Sequence, residues 1–96
     1  MLKVDYTPSF KKDYKRLARK HFPMEQLDDV LRLIAENSSN SLSVLKRRHN
    51  MHRLTGNWHG ANECHVANIA NWLLVWEVEG DRANILRTGS HDEIFR

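Results

Sequence analysis

The stretch NWLLVWEVE, residues 71–79, constrains the fold more than any other part of the chain. At strand spacing its apolar residues point both ways: Trp72, Leu74, Trp76 and Val78 to one face, Leu73 and Val75 to the other. A strand that is apolar on both faces is out of place at an edge or on a solvated face. It belongs in the middle of a sheet, with helices covering at least one side. Two neighbours are at hand. ANECHVA (61–67) and ANILRTG (83–89) also read as strands, and Gly80-Asp81 supplies a turn that joins the second and third as a hairpin.

Upstream the apolar period is helical. After a short alternating strand, LKVDY (2–6), Thr7-Pro8 offers an N-cap followed by proline at the first helical position. On a helix from Pro8, the residues Phe10, Tyr14, Leu17, Ala18 and His21 fall on one side and the basic residues cover the rest, so the helix reads as amphipathic with a basic outer face. Phe22-Pro23 breaks that helix. A second follows, MEQLDDVLRLIAEN, with Met24, Leu27, Val30, Leu31 and Ile34 as its apolar stripe. Residues 37–43, NSSNSLS, read as a linker, and HDEIF (91–95) as a closing turn of helix. The expected fold is α+β in the order β-α-α-β-β-β. Its sheet is mostly antiparallel and packs against an N-terminal helical hairpin, with residues 1–96 forming one domain.

Composition narrows the class. The chain is 41% hydrophobic and 28% charged, has no run approaching the ~18 apolar residues of a membrane span, and opens without a signal-peptide core. A cytoplasmic location and no membrane partner are expected. The single cysteine, Cys64, cannot close an intrachain disulfide and excludes the cysteine-rich zinc motifs. The net charge of +3 is modest but segregated. Residues 11–20 hold six cations (Lys11, Lys12, Lys15, Arg16, Arg19 and Lys20) and one acid. Lys46, Arg47 and Arg48 form a second cluster. Such clustering suggests a polyanion or an acidic protein as partner, with a solvated helix face as the plain alternative.

Chemistry-bearing residues concentrate in HRLTGNWHGANECHV, residues 52–66. Strand alternation sets Glu63 and His65 on one face and Cys64 on the other, which disfavours a Cys64–His65 metal pair. No short zinc-ligand spacing such as HExxH occurs, and no metal or cofactor is expected. Histidine is the side chain best suited to exchange protons near neutral pH, and two histidines flanking one cleft can act as base and acid. His21 and His59 read as surface residues, and His49 stays undecided.

The ordered series His52-x-Leu54-x-Gly56-x-Trp58-x-Gly60, Glu63-x-His65-Val66, Trp72, then Arg87-Thr88-Gly89-Ser90-His91 and Phe95 resembles the YafQ branch of the RelE/ParE toxin superfamily. The likeness runs nearly end to end. It implies a RelE-like fold and the toxin of a type II toxin–antitoxin pair. The implied activity is ribosome-dependent, metal-independent cleavage of mRNA in the A site by attack of the 2′-OH. It also implies a cognate antitoxin, contact with 16S rRNA and mRNA, and operator DNA reached only through the antitoxin. The catalytic positions it carries over are His52, Glu63, His65, His91 and Phe95, with Trp72 nearby.

One departure stands out: where that pattern commonly has an acid before the tryptophan, this chain has Asn71. In-line attack needs a base, an acid and positive charge near the phosphate. His52 as base and His91 as acid is the first assignment, and the reverse is open. His65 would support, and Arg87 with Lys46, Arg47, Arg48, Asn71 and Trp72 would bind RNA. The basic helix Lys11–Lys20 would dock on ribosomal RNA. The competing readings are a ParE-like gyrase poison and a non-catalytic RNA- or protein-binding domain on the same fold.

Overall fold

In a computed structural model describing residues 1–96, β1 (Lys3–Tyr6) leads into α1 (Pro8–Arg19), α2 (Met24–Glu36) and α3 (Ser39–His49). There follow β2 (His52–Arg53), a 3-10 turn (Gly56–Trp58), β3 (Asn62–Ala67), β4 (Trp72–Glu79), β5 (Arg82–Gly89) and α4 (His91–Phe95). The sheet order is β1-β5-β4-β3-β2. β1 runs parallel to β5 and every other pairing is antiparallel.

β4 is the central strand, as its two-faced pattern requires. Trp72, Leu74 and Trp76 enter the main core with Phe10 and Leu17 of α1, Leu27, Val30 and Ile34 of α2, and Leu45 of α3. Leu73 and Val75 join a smaller cluster on the opposite face with Ala61 and Ile94, ringed by Leu54, Trp58, Leu86 and Phe95. α4 and the 3-10 turn therefore cover the face that the long helices leave open. Cys64 is fully buried in the main core, and burial pushes its thiol pKa up, so it is chemically quiet.

Two elements depart from the sequence expectation. The stretch read as a linker is a pair of helix caps set back to back. Asn37 closes α2 in the left-handed region (φ 51°), and Ser38 opens α3 with a reciprocal capping box to Ser41. Serine and asparagine favour loops and caps for the same reason, since their side chains compete for backbone groups. Composition alone does not separate the two. The expected effect of Ser38→Ala is a loss of about 1 kcal/mol, read as a fall in thermal midpoint of about 4–8 °C. The second departure is β2, whose two residues extend the sheet beside β3.

The apolar side of α1 is narrower than its sequence pattern, and His21 is at the surface, as expected from sequence. Phe10, Asp13 and Leu17 are buried, Tyr14 is half-buried, and Ala18 and His21 are exposed. His21 has left the helix with φ 63°, which turns its side chain away from the core. Asp13 lies between Phe10 and Leu17 at helical spacing, so the face that buries them buries it too.

β5 carries one extra residue. Val75 pairs with Arg87 but Trp76 pairs with Ile85, leaving Leu86 as a bulge that redirects the last third of the strand. Between β3 and β4, Ala70 (φ 47°) and Asn71 (φ 51°) form the corner of a tight turn closed by Trp72 N–H to Ile69 C=O at 2.9 Å.

Candidate active site

The site face of the sheet is laid out in rows. His52, Glu63, Val75 and Arg87 face one another across β2, β3, β4 and β5. His65, Leu73 and Gly89 make the next row on that face. Neighbouring strands are about 4.8 Å apart, so His65 and Gly89 lie about 10 Å apart across β4. The floor between them is apolar, built from Leu73 and Val75 under Trp58, Ile94 and Phe95.

Glu63 pairs with His52. Its Oε1 lies 3.2 Å from His52 Nε2, with the carboxylate side chain 9% exposed and the imidazole 45% exposed. His52 Nδ1 lies 2.9 Å from the Asn50 carbonyl. A carbonyl only accepts, so Nδ1 carries a hydrogen. The other ring nitrogen, Nε2, faces the Glu63 carboxylate, which can only accept. Strand alternation sets Glu63 beside His65 on one face. The antiparallel register gives it His52 instead.

His65 is half-buried in the middle of β3. Its carbonyl accepts from His49 Nδ1 at 2.8 Å, which ties the end of α3 to β3. His49 therefore has a structural task that the sequence did not reveal.

At the far end of the row, Ser90 caps α4 in a reciprocal box with Glu93, and His91 is the first helical residue. The His91 side chain is 73% exposed, with Nδ1 4.0 Å from Asp92. Phe95 sits one turn on, its ring centroid 4.9 Å from His91 and 5.4 Å, edge-on, from Trp58. Trp58 fixes the Phe95 ring from behind, a role that sequence reading missed.

The most connected polar group is Asp13, which is 2% exposed. Its Oδ2 accepts from Arg87 Nε at 2.6 Å and from the Thr88 amide at 3.2 Å. Its Oδ1 accepts from Arg16 Nη1 at 2.9 Å and Arg87 Nη2 at 3.2 Å. Burial works to raise its pKa, but the bonds from Arg87, Thr88 and Arg16 outweigh burial and hold it below the ordinary carboxylate value. An acid on the apolar stripe of a basic helix was the available signal.

The remaining expected residues separate into those that reach solvent and those that do not. Arg87 is tied to Asp13 and to the Glu93 carbonyl at 3.2 Å, which leaves Nη1 as its one terminal nitrogen without a protein partner. Trp72 is 1% exposed and its indole N–H donates to Thr88 Oγ1 at 2.9 Å. It supports the sheet from below and presents no surface to RNA, because its ring packs against Phe22 in the core. Asn71 is exposed at the β3–β4 corner, and Lys46, Arg47 and Arg48 are exposed on the last turn of α3. Lys46 shares a groove with His52, Arg53 and Asn62. Lys11, Lys12, Lys15, Arg19 and Lys20 are exposed on α1. Arg16 turns inward between Asp13 and Glu93 Oε2 (3.0 Å), because the buried carboxylate of its own helix lies one turn away. No three His, Cys, Asp or Glu side chains are gathered to hold a metal ion.

This architecture matches that of small bacterial toxins. A copper-bound mutant toxin from Helicobacter pylori superposes with a TM-score of 0.86 at 32% identity, covering 99% of this chain and all of that one. Toxin in the Escherichia coli DinJ–YafQ toxin–antitoxin complex superposes with a TM-score of 0.80 at 25% identity, covering 99% of this chain and 98% of that one. The mRNA interferase toxin YafQ of Escherichia coli K12 is 27% identical over 92 residues, 96% of this chain and 94% of its own length. Residues 2–96 match the family described as the bacterial toxin of type II toxin–antitoxin systems, YafQ. The chain belongs to that family.

Proposed function

We propose that residues 1–96 act as one RelE-like toxin domain, a cytoplasmic endoribonuclease that cuts mRNA in the ribosomal A site. The observation that carries this reading is the placement on one sheet face of His65 and the Glu63–His52 pair from β2 and β3, with His91 and Phe95 from α4. His65 on β3 and Gly89 at the foot of α4 stand about 10 Å apart across β4, and His52 on β2 lies one strand further out, about 14 Å from β5.

The reaction is an in-line transfer. The 2′-oxygen attacks the adjacent phosphorus as its proton passes to a base. The bond to the 5′-oxygen breaks as an acid protonates it, leaving a 2′,3′-cyclic phosphate and a 5′-OH. His52 Nε2 faces the Glu63 carboxylate, which favours a proton between them, and His52 is assigned the acid that donates to the leaving oxygen. His91 makes no hydrogen bond through its ring, with Asp92 at 4.0 Å, and suits the base. This is the reverse of the first assignment from sequence, and the Glu63 pairing is the reason. His65 and the free Nη1 of Arg87 would face the non-bridging oxygens, and Phe95 would stack on a base.

An open face of this size holds a flexible RNA weakly. The ribosome would supply the fixed geometry, with the exposed lysines and arginines of α1 and α3 set against 16S rRNA phosphates. A cognate antitoxin with an acidic or amphipathic segment would cover the site, and operator DNA would be reached only through it. No membrane contact is invoked, and no helix is long and apolar enough to cross one.

Primer extension on mRNA in a translating extract tests this. Wild type should produce cuts that depend on ribosomes. Intact mRNA with damaged DNA would overturn the reading in favour of a gyrase poison. Efficient cleavage of naked RNA at low enzyme concentration would remove the ribosome dependence.

A further inference from the structure

We propose that Asp13, remote from the reacting groups, is a positioning residue for the cleavage reaction. Through Arg87 and Arg16 it holds α4 in place and so sets where His91 and Phe95 stand relative to His52 and His65. The inference rests on the reading of this face as an RNA-cleaving site.

α4 has five residues. A helix that short has no stability of its own, so its place depends on what it touches. Ile94 anchors it in the small apolar cluster, but apolar packing fixes direction loosely. Two arginines reach α4 from outside, Arg87 by a directional hydrogen bond and Arg16 by a charge contact. Arg87 Nη2 donates to the Glu93 carbonyl at 3.2 Å, and Arg16 Nε lies 3.0 Å from Glu93 Oε2.

Both guanidinium groups end on the same carboxylate. Asp13 takes Arg87 in a two-pronged contact and Arg16 in a single one, and the Thr88 amide locks the carboxylate to β5. A planar guanidinium held by two bonds has a fixed plane, so its remaining donor points in a fixed direction.

An apolar side chain at this position would simply continue the stripe from Phe10 to Leu17. A buried carboxylate with two cations is a poor route to stability compared with such packing. What it adds is orientation. Gly89 shows how closely the parts are fitted. With φ 146° it has no side chain, and a Cβ there would lie 2.8 Å from Glu93 Oε1 and 2.9 Å from Arg16 Nη2.

The test uses the full chain as Asp13→Asn, which keeps the shape of the side chain and removes its charge. Two readings are taken: amide hydrogen exchange at Ile94 and Phe95, and kcat and KM for mRNA cleavage on ribosomes. Expected is at least tenfold faster exchange at these amides beyond any acceleration shared with the β3 and β4 amides, and a tenfold or larger fall in kcat at a KM within twofold. Wild-type exchange in α4, or a loss carried by KM alone, overturns the proposal. If Asp13→Asn does not fold, Arg16→Gln leaves Asp13 and the β5 backbone intact and removes the charge contact to Glu93, and the same readings decide. If the wild type leaves mRNA intact, the toxin reading fails, and the exchange rates alone decide whether Asp13 positions α4.

Discussion

His91→Ala is expected to lower the rate of ribosome-dependent mRNA cleavage by about 10²–10⁴, the usual contribution of one acid–base group. That is about 2.7–5.5 kcal/mol of transition-state stabilisation. His52→Ala should fall in the same range, for the complementary proton. The double variant should lose much less than the product of the two, because base and acid act in one concerted step and removal of either forfeits most of the benefit. His91 is 73% exposed and His52 45%, so neither truncation opens a core cavity, and both variants should melt near the wild type. Single-turnover cleavage on programmed ribosomes checks the rates, and circular dichroism checks the folding. Near wild-type cleavage by either variant would remove that histidine from the proposed mechanism.

Asp13→Ala should cost about 3–5 kcal/mol, because it strands the charges of Arg87 and Arg16 in a largely enclosed place. At about 4–8 °C per kcal/mol, the thermal midpoint falls by at least ~12 °C. The sign with pH follows from the depressed pKa of Asp13. Its contribution is fully present above the unfolded value of about 3.9 and disappears as pH drops through the lower folded value. The gap in melting temperature between wild type and Asp13→Asn should therefore be constant near neutrality and narrow below about pH 4. Parallel melting curves from pH 2 to pH 7 would show that Asp13 titrates alike in both states, against the bonding seen here.

Much of the fold was legible in one dimension. The apolar residues of NWLLVWEVE demanded a covered central strand, and β4 is that strand. Glycine and proline marked the turns at Gly80 and Pro23. α3 was hidden because its cap is made of the residues that also make linkers. β2 was hidden because two residues carry no period. Asp13 was counted as one acid in a basic run, since composition records charge and not direction.

The site divides in the same way. Sequence by itself determined the residue types, the order of His52, Glu63, His65 and His91, and the likeness to a toxin family, because these are properties of the chain and its periodicity. Alternation already separated Cys64 from His65. Only the tertiary structure decided partners. The antiparallel register of β2 on β3 gave Glu63 to His52. The bulge at Leu86 and the approach of α1 gave Arg87 to Asp13. Burial placed Trp72 under the sheet. The physical reason is that periodicity assigns a side chain to a face, whereas hydrogen bonds are made across strands and helices by residues far apart in the chain.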